Sequence, residues 1–415
     1  MQYSSLLAIV LAALAAAGNT TISRRSLLSL PFTKTINNTG IPNIVKYEQA
    51  RLKAFKDGTY GIPTDSTGST PSVSIPATDA GIVYSAPVGI GTPPTYYNLI
   101  VDTGSSNTWA GANPDSPYVV TSSTVDTGYY LLIAYGTGFL LSYEYNDTVT
   151  LGSIALLNQG VGAKILSSDF EGQDGILGIG PLDLTLGKIP ACQECTVPTV
   201  VDTAFDQGFI SARSVAISFE PTDTAPVTNG EVTFGGVDPT KYYPDIVYTP
   251  VTDTPPSSQY WGINQSIAYN GQTILSTTAG VVDSGNTLLW LATDAYTAYQ
   301  NLTGATEVFN EDTEVYWLTV TEDQYNNLAD LVFTIGGKDF ALTPNAQIWP
   351  RNLNWAINGS DDVIYLIAQN TEAESGSGLD FVNGQSFLER FYSVFDTTNN
   401  QVGFAETPLT RAIIN

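Results

Sequence analysis

The 415-residue sequence contains no histidine, one methionine and two cysteines. Without imidazole there is no Ser-His-Asp triad, no Cys-His pair and no histidine metal ligand, so proton transfer falls to carboxylates, Tyr, Lys or Cys. Basic residues are scarce as well: 15 Lys and Arg face 40 Asp and Glu, for a formal charge of −25 and a pI near 4.1. Nucleic-acid binders need clustered Lys and Arg against phosphate, so that class of partner is set aside. Long apolar runs are missing too. The stretch from Leu6 to Ala17 is uninterrupted but too short to span a bilayer, and no later stretch reaches eighteen residues.

What is present is enough apolar surface for real cores, with 43% hydrophobic and 11% aromatic residues, in a chain long enough for two or three domains. Residues 1–17 read as a secretory signal, closing on Ala15-Ala16-Ala17 as a cleavage site. A soluble, secreted, extracellular protein is expected, with no membrane partner. Sequons at Asn146, Asn264, Asn301 and Asn358 fit that route and predict exposed, N-glycosylated loops.

Charge divides the chain. Residues 1–57 hold seven Lys and Arg against only Glu48 and Asp57, and the remainder is strongly acidic. The stretch 58–76, rich in Thr, Ser, Gly and Pro, reads as an exposed linker. Residues 18–72 are therefore read as a basic prosegment and linker, docked electrostatically on the acidic body; the alternative is an unrelated basic tail. The pair Cys192 and Cys195, spaced C-x-x-C, reads as a short-loop disulfide in an oxidising compartment. A redox pair or a zinc site are the other readings, but no βαβ pattern surrounds the cysteines and further zinc ligands are missing.

Beyond residue 76 the pattern is mainly all-β. Short alternating runs meet at Asn270-Gly271 and Gly336-Gly337, both hairpin signals. Helices are expected to be few: one capped by Thr321 and Gln324 and running from Tyr325 to Leu331, and others over 199–207 and 293–301.

An internal repeat carries the chemistry. Leu99-Ile-Val-Asp102-Thr103-Gly104-Ser105 and Gly280-Val-Val-Asp283-Ser284-Gly285-Asn286 each bring an apolar strand to a tight loop that begins with an aspartate. Glycine there allows close backbone approach, and neighbouring hydroxyls can donate to the carboxylate. A third match, Asp126-Thr127-Gly128, follows polar residues instead of an apolar strand and reads as a turn.

The stretch from Val88-Gly-Ile-Gly-Thr-Pro93 to Asp102-Thr-Gly-Ser-Ser-Asn-Thr-Trp109 resembles the first catalytic block of the pepsin-like aspartic proteases. Tyr135-Gly136-Thr137-Gly138 resembles the flap tip, Asp174-Gly-Ile-Leu-Gly178 the motif packed behind the first loop, and Phe387 to Phe404 the C-terminal signature. Within the family, Trp261 to Ser266 and Asn345 to Leu353 are most similar to the polyporopepsin type of basidiomycete fungi. The resemblance covers residues 73–407.

It implies a bilobal all-β fold with a cleft between lobes 73–240 and 241–415, and a monomeric endopeptidase of proteins and peptides. Asp102 and Asp283 are its implied catalytic pair, acting at acidic pH without cofactor or metal and blocked by pepstatin-type inhibitors. Thr103 and Ser284 are expected to make crossed bonds between the loops, and Ser105 to donate to Asp102. Tyr135 is expected to cover substrate and reach toward Trp109, while Gly104, Gly136, Thr137 and Gly285 bind an extended peptide through their backbones. Phe170, Ile176, Tyr242 and Val382 are candidates for apolar side-chain pockets. The prosegment is implied as an intramolecular inhibitor, with Lys46, Lys53 or Lys56 reaching the pair.

Two departures stand out. Asn286 occupies a position where the family has Thr or Ser; its NH2 group can donate to Asp283, whereas a flipped carbonyl would repel it. Val382-Asn383-Gly384 replaces two apolar residues before glycine. A non-catalytic peptide-binding protein on the same scaffold is the alternative that Asn286 supports. A β-rich matrix or carbohydrate-binding protein with vestigial motifs accounts for the sequons but not for the paired loops.

Overall fold

The computed structural model describes residues 27–36, 43–57, 82–136, 138–168, 170 and 172–414. The expected signal, the whole of the 58–76 linker and the flap residue Thr137 lie outside these residues.

Strands dominate because alternating apolar residues each have an inward and an outward face. Thirteen strands form one sheet in the order Val247–Pro250, Gln401–Glu406, Phe391–Asp396, Ser214–Ser218, Val227–Phe234, Leu28–Ile36, Ile82–Ile90, Thr95–Asp102, Gly175–Gly178, Thr108–Ala110, Ile154–Ser167, Gly138–Leu151 and Val125–Tyr135. The last three build a long meander that ends in the hairpin around Gly136. A seven-stranded sheet carries the second aspartate loop, and a small three-stranded sheet flanks it.

The two loops sit on equivalent supports. Thr95–Asp102 runs parallel to Gly175–Gly178, which pairs antiparallel with Thr108–Ala110. In the second half, Val281 and Val282 run parallel to Val382 and Asn383, and this short strand pairs antiparallel with Leu289–Leu291. The motif Asp174 to Gly178 therefore lies directly behind the first loop.

Both hairpins appear where Asn270-Gly271 and Gly336-Gly337 mark them. Helices Val200–Asp206 and Thr293–Thr303 form as the pattern predicts, the first with a complete Thr199–Asp202 capping box. The helix after Thr321 is a correction: its capping box is present, but the helix ends at Tyr325, and Leu331 opens a strand instead. The alternating burial of Leu331, Phe333 and Ile335 favours that pairing over continued helix. Three sequons also depart from the expected loops. Asn146 and Asn264 lie on strands, and Asn301 lies on a helix with its side chain exposed. Cys192 and Cys195 form a disulfide. Asp126 accepts the amide of Gly128 at an irregularity in the flap meander, the turn role expected for it.

The basic head is built into the fold. Leu28–Ile36 lies inside the large sheet, antiparallel to both Val227–Phe234 and Ile82–Ile90. Its Leu28, Leu30 and Phe32 are buried, and at the same inward spacing comes Lys34. The Lys34 Nζ donates to Glu389 at 2.5 Å, and the Tyr84 hydroxyl donates to the same carboxylate at 2.8 Å. A helix, Ile44–Asp57, follows; the side chain of Asn43 accepts the amide of Lys46 at its start, and Lys56 lies in its last turn, favourable to the helix dipole.

Candidate active site

Each aspartate loop folds back on its own carboxylate. Asp102 accepts the amide of Gly104 at 2.9 Å and the hydroxyl of Ser105 at 2.5 Å. Asp283 accepts the amide of Gly285 at 3.0 Å and the side-chain NH2 of Asn286 at 2.6 Å. Asn286 thus takes the donating orientation, and the repulsive one is not adopted.

The loops are tied to each other as well. Thr103 N–H donates to Ser284 Oγ at 3.0 Å, and Ser284 N–H donates to Thr103 Oγ1 at 2.9 Å. Each hydroxyl then donates to the strand opposite, Thr103 to Val282 O at 3.3 Å and Ser284 to Val101 O at 2.9 Å. Four bonds between the lobes leave no freedom for one loop to slide past the other. Glycine is required next to them, because a β-carbon at Gly104 would sit 2.7 Å from Asp283 Oδ1 and one at Gly285 2.7 Å from Asp102 Oδ1. The two carboxylates consequently face each other, each beside the glycine of the other loop.

Behind the second loop an amide pair replaces apolar packing. Asn383 Nδ2 donates to Gln265 Oε1 at 2.8 Å and Gln265 Nε2 returns a bond to Asn383 Oδ1 at 3.1 Å, with both side chains fully buried. The departure at Val382-Asn383-Gly384 is therefore accommodated by a partner two strands away, on Gly262–Tyr269 across Gln272–Val282, which pairs the buried amides. Asn383 O also accepts the amide of Asp283 at 3.1 Å.

The flap closes over the site. Trp109 Nε1 donates to the Tyr135 hydroxyl at 2.9 Å, and Phe170 stands edge-on to both rings. Ile176 backs Trp109 through strand pairing. Two pocket candidates lie elsewhere and are corrected here. Tyr242 stacks on Tyr392 in a separate cluster on the far side of the large sheet, and Val382 is a fully buried member of the second core strand. Their apolar character serves packing.

The head helix fills the space between flap and loops. Arg51 Nη2 donates to Asp102 Oδ1 at 2.5 Å and Asp283 Oδ1 at 3.0 Å, while its Nε donates to Asp283 Oδ2 at 2.7 Å. This group is fully buried, and Gly136 at the flap tip packs on its backbone. None of the three lysines expected there reaches the pair. Lys46 pairs with Glu314, Lys56 donates to Thr371 O, and Lys53 is exposed. A planar guanidinium bridges two carboxylates through separate nitrogens, which a single ammonium does less well. The sequence held a signal for this: Ile44, Tyr47, Leu52 and Phe55 mark the inner stripe of the helix, and Glu48 and Arg51 interrupt it, whereas the lysines lie off it.

Burial raises the carboxyl of Asp283 above its ordinary value; Arg51 opposes this and the negative charge of Asp102 adds to it. Tyr47, beside the same groups, is pushed up to about 12 by burial, and the hydroxyl of Tyr135 is raised well above its usual range for the same reason. Two carboxylates sharing one site cannot both ionise cheaply without a neighbouring cation.

The family model for eukaryotic aspartyl proteases matches residues 83–407. The chain belongs to that family. It is an aspartic endopeptidase of the pepsin type, 51% identical over 343 residues to polyporopepsin of Irpex lacteus, a match covering 82% of this chain and 99% of the relative. It is 31% identical over 341 residues to pepsin A of Sus scrofa, covering 78% and 80% of the two chains. A crystal structure of an aspartic proteinase from Irpex lacteus superposes on this eukaryotic aspartyl protease with a TM-score of 0.77 at 51% identity, covering 80% of this chain and 96% of that one. The mainly β, two-lobed architecture is that of the family.

Proposed function

We propose that this aspartic protease is secreted as a zymogen and hydrolyses peptide bonds at acidic pH through a water held between Asp102 and Asp283. The ionised member takes a proton from water as the water oxygen attacks the peptide carbonyl. The protonated member donates to the developing oxyanion. The two carboxyls titrate as a coupled pair, so the shared proton belongs to both. Apolar or aromatic residues around the scissile bond suit the aromatic wall of Tyr135, Trp109 and Phe170.

The observation that carries this reading is the pairing of the two loops with their carboxylates turned on one cation, Arg51. Residues 18–72 act in it as signal-linked prosegment and linker, and the segment around Arg51 as an intramolecular inhibitor that acid releases. Glycans on Asn146, Asn264, Asn301 and Asn358 belong to the same secreted reading.

The test is hydrolysis of a denatured protein across acidic pH by acid-matured enzyme, with and without pepstatin, beside Asp102→Asn. Pepstatin-blocked cleavage that Asp102→Asn abolishes is the expected result. A folded, fully matured protein that cuts nothing would instead make this a peptide-binding relative. Asn286 is the observation that favours that second reading, although its donor bond to Asp283 preserves the loop.

A further inference from the structure

The chain holds very little that a peroxide can oxidise. Its single methionine is Met1, inside the expected signal, and it has no histidine. Both cysteines are joined in the Cys192–Cys195 disulfide, so neither offers the thiolate at which sulfur oxidation starts. Six tryptophans are left as side chains that can accept an oxygen atom.

The fold sorts these six. Trp109 and Trp290 have no solvent exposure, Trp317 and Trp349 are 2% exposed, and Trp261 is 3% exposed. Four of the buried indole N–H groups are also tied: Trp109 donates to the Tyr135 hydroxyl, Trp290 to Glu48 at 2.7 Å, Trp261 to Ile179 O at 3.2 Å and Trp349 to Leu353 O at 3.0 Å. Trp355 is different. It lies on the surface turn Arg351–Ile357, is 45% exposed and takes no part in the aspartate loops or the flap. The indole that orients the flap and the one that follows the second aspartate loop are thus shielded, and the one open to solvent is dispensable to both.

We infer that the protein is built to keep its activity in the presence of peroxide, with Trp355 as the one indole open to oxygen transfer. Hydrogen peroxide gives one oxygen to a thioether to form a sulfoxide, or to C2 of an indole to form an oxindole, and its second oxygen leaves as water. The sulfur or carbon loses two electrons and the O–O bond takes them. Thioethers are the common target of this chemistry, and losing one inside a core puts a polar group among apolar ones. A chain without them beyond Met1 has no such weak point, and burial withholds five indoles from the slower reaction. The statement about activity rests on the protease reading above, whereas the assignment of Trp355 does not.

The test uses hydrogen peroxide with a chelator, so that no metal turns it into radicals, and a methionyl peptide in the same tube as a gauge of dose. Residues 43–48 cover Trp317 and Trp290, so the order of attack is mapped on the uncleaved chain by mass spectrometry of its fragments. As peroxide is raised, the first added oxygen is expected on Trp355. Trp355→Phe is expected to raise the peroxide needed for the first oxygen at least about threefold, because the remaining indoles are no more than 3% exposed. Acid-matured enzyme is expected to lose no activity at the dose that converts the gauge peptide fully to sulfoxide. First entry of oxygen at any other residue overturns the assignment, and lost activity at that dose overturns the tolerance. Should Trp355→Phe not fold, the map of the parent chain decides alone. A matured protein that cuts nothing before peroxide is added overturns the protease reading and the statement about activity, while the map of Trp355 is read independently of it.

Discussion

Arg51 grips Asp283 by two nitrogens, Nε at 2.7 Å and Nη2 at 3.0 Å, and both side chains are out of contact with solvent. Removing one partner from a buried, hydrogen-bonded ion pair costs about 3–5 kcal/mol, because the remaining charge has lost its compensation. Arg51→Gln is therefore expected to abolish the latency of the uncleaved chain, with peptide hydrolysis starting without a lag on transfer to acid. Arg51→Lys, a point charge in place of a fork, should lie between. Progress curves of the purified precursor check this, and a lag equal to that of the parent would remove Arg51 from inhibition.

The pH dependence of docking has two limbs of opposite sign. Burial raises the Asp283 carboxyl and Arg51 pulls against that rise, so the Arg51 part of docking is present while the pair is ionised and is lost as pH falls. Glu48 has the reverse effect. Docking raises it from 4.5 to about 7, so its contribution is full below 4.5 and is lost as pH rises through 7. The segment is expected to be held most tightly between these limits and to loosen on both sides. Its susceptibility to an added protease, followed against pH, measures this. Glu48→Ala should flatten the limb near neutrality, and a limb that stays unchanged would show that Glu48 does not titrate there.

Asn286 serves Asp283 as a hydrogen-bond donor, so the informative substitutions remove or retain that role. Asn286→Leu should raise the Asp283 carboxyl further, shift the kcat/KM profile of the pair upward in pH, and lower activity on the order of tenfold. Asn286→Thr keeps a donor, and a smaller shift is expected. Superimposable profiles of the parent and Asn286→Leu would exclude any tuning of the pair by this residue.

Ser284→Ala removes two bonds that cross between lobes and leaves the buried amide of Thr103 without its partner. A loss of about 1–3 kcal/mol in stability follows from an unpaired buried donor. Misalignment of the two loops should lower kcat more than it raises KM. Thermal unfolding and steady-state kinetics on the matured enzyme check both parts; unchanged kcat with lowered stability would confine the crossed bonds to folding.

Lys34→Met should act on the precursor alone. It leaves Glu389 buried with only the Tyr84 hydroxyl, which destabilises the uncleaved chain, while an enzyme that has shed residues 28–36 no longer contains the pair. The melting temperature is expected to fall for the precursor and to match the parent after maturation. Equal losses in both forms would mean that the strand is retained.

Much of this was legible in the chain because strand, aspartate, hydroxyl and glycine must follow one another in a fixed order. An apolar run such as Leu99-Ile-Val has to be buried, and it carries Asp102 into the interior with it. The two hairpins, the helix over 199–207 and the capping box at Thr321 are equally local. What was not legible depends on partners distant in sequence. Glu389 explains Lys34 from 355 residues away, and the amide pair of Asn383 spans 118. The helix at 44–57 was missed because charged residues interrupt its apolar stripe at Glu48 and Arg51, the two positions that reach into the cleft. The failed helix after Tyr325 shows the converse: a complete capping box starts a turn, and tertiary strand pairing decides where it stops.

The strand Leu28–Ile36 is hydrogen-bonded on both sides in the interior of the thirteen-stranded sheet. An inhibitor that merely plugged the cleft could leave without altering the lobe around it, whereas loss of this segment would take a rib of the scaffold with it. Its loss would expose the edge of Val227–Phe234 that pairs with residues 28–34 and the edge at Ile82–Ser85 that pairs with Thr33–Ile36, the two facing each other only across Thr33 and Lys34. Such a slot is a template for any extended chain. On the zymogen reading proposed above, activation would be an exchange as much as a removal, with another extended segment taking the vacated slot.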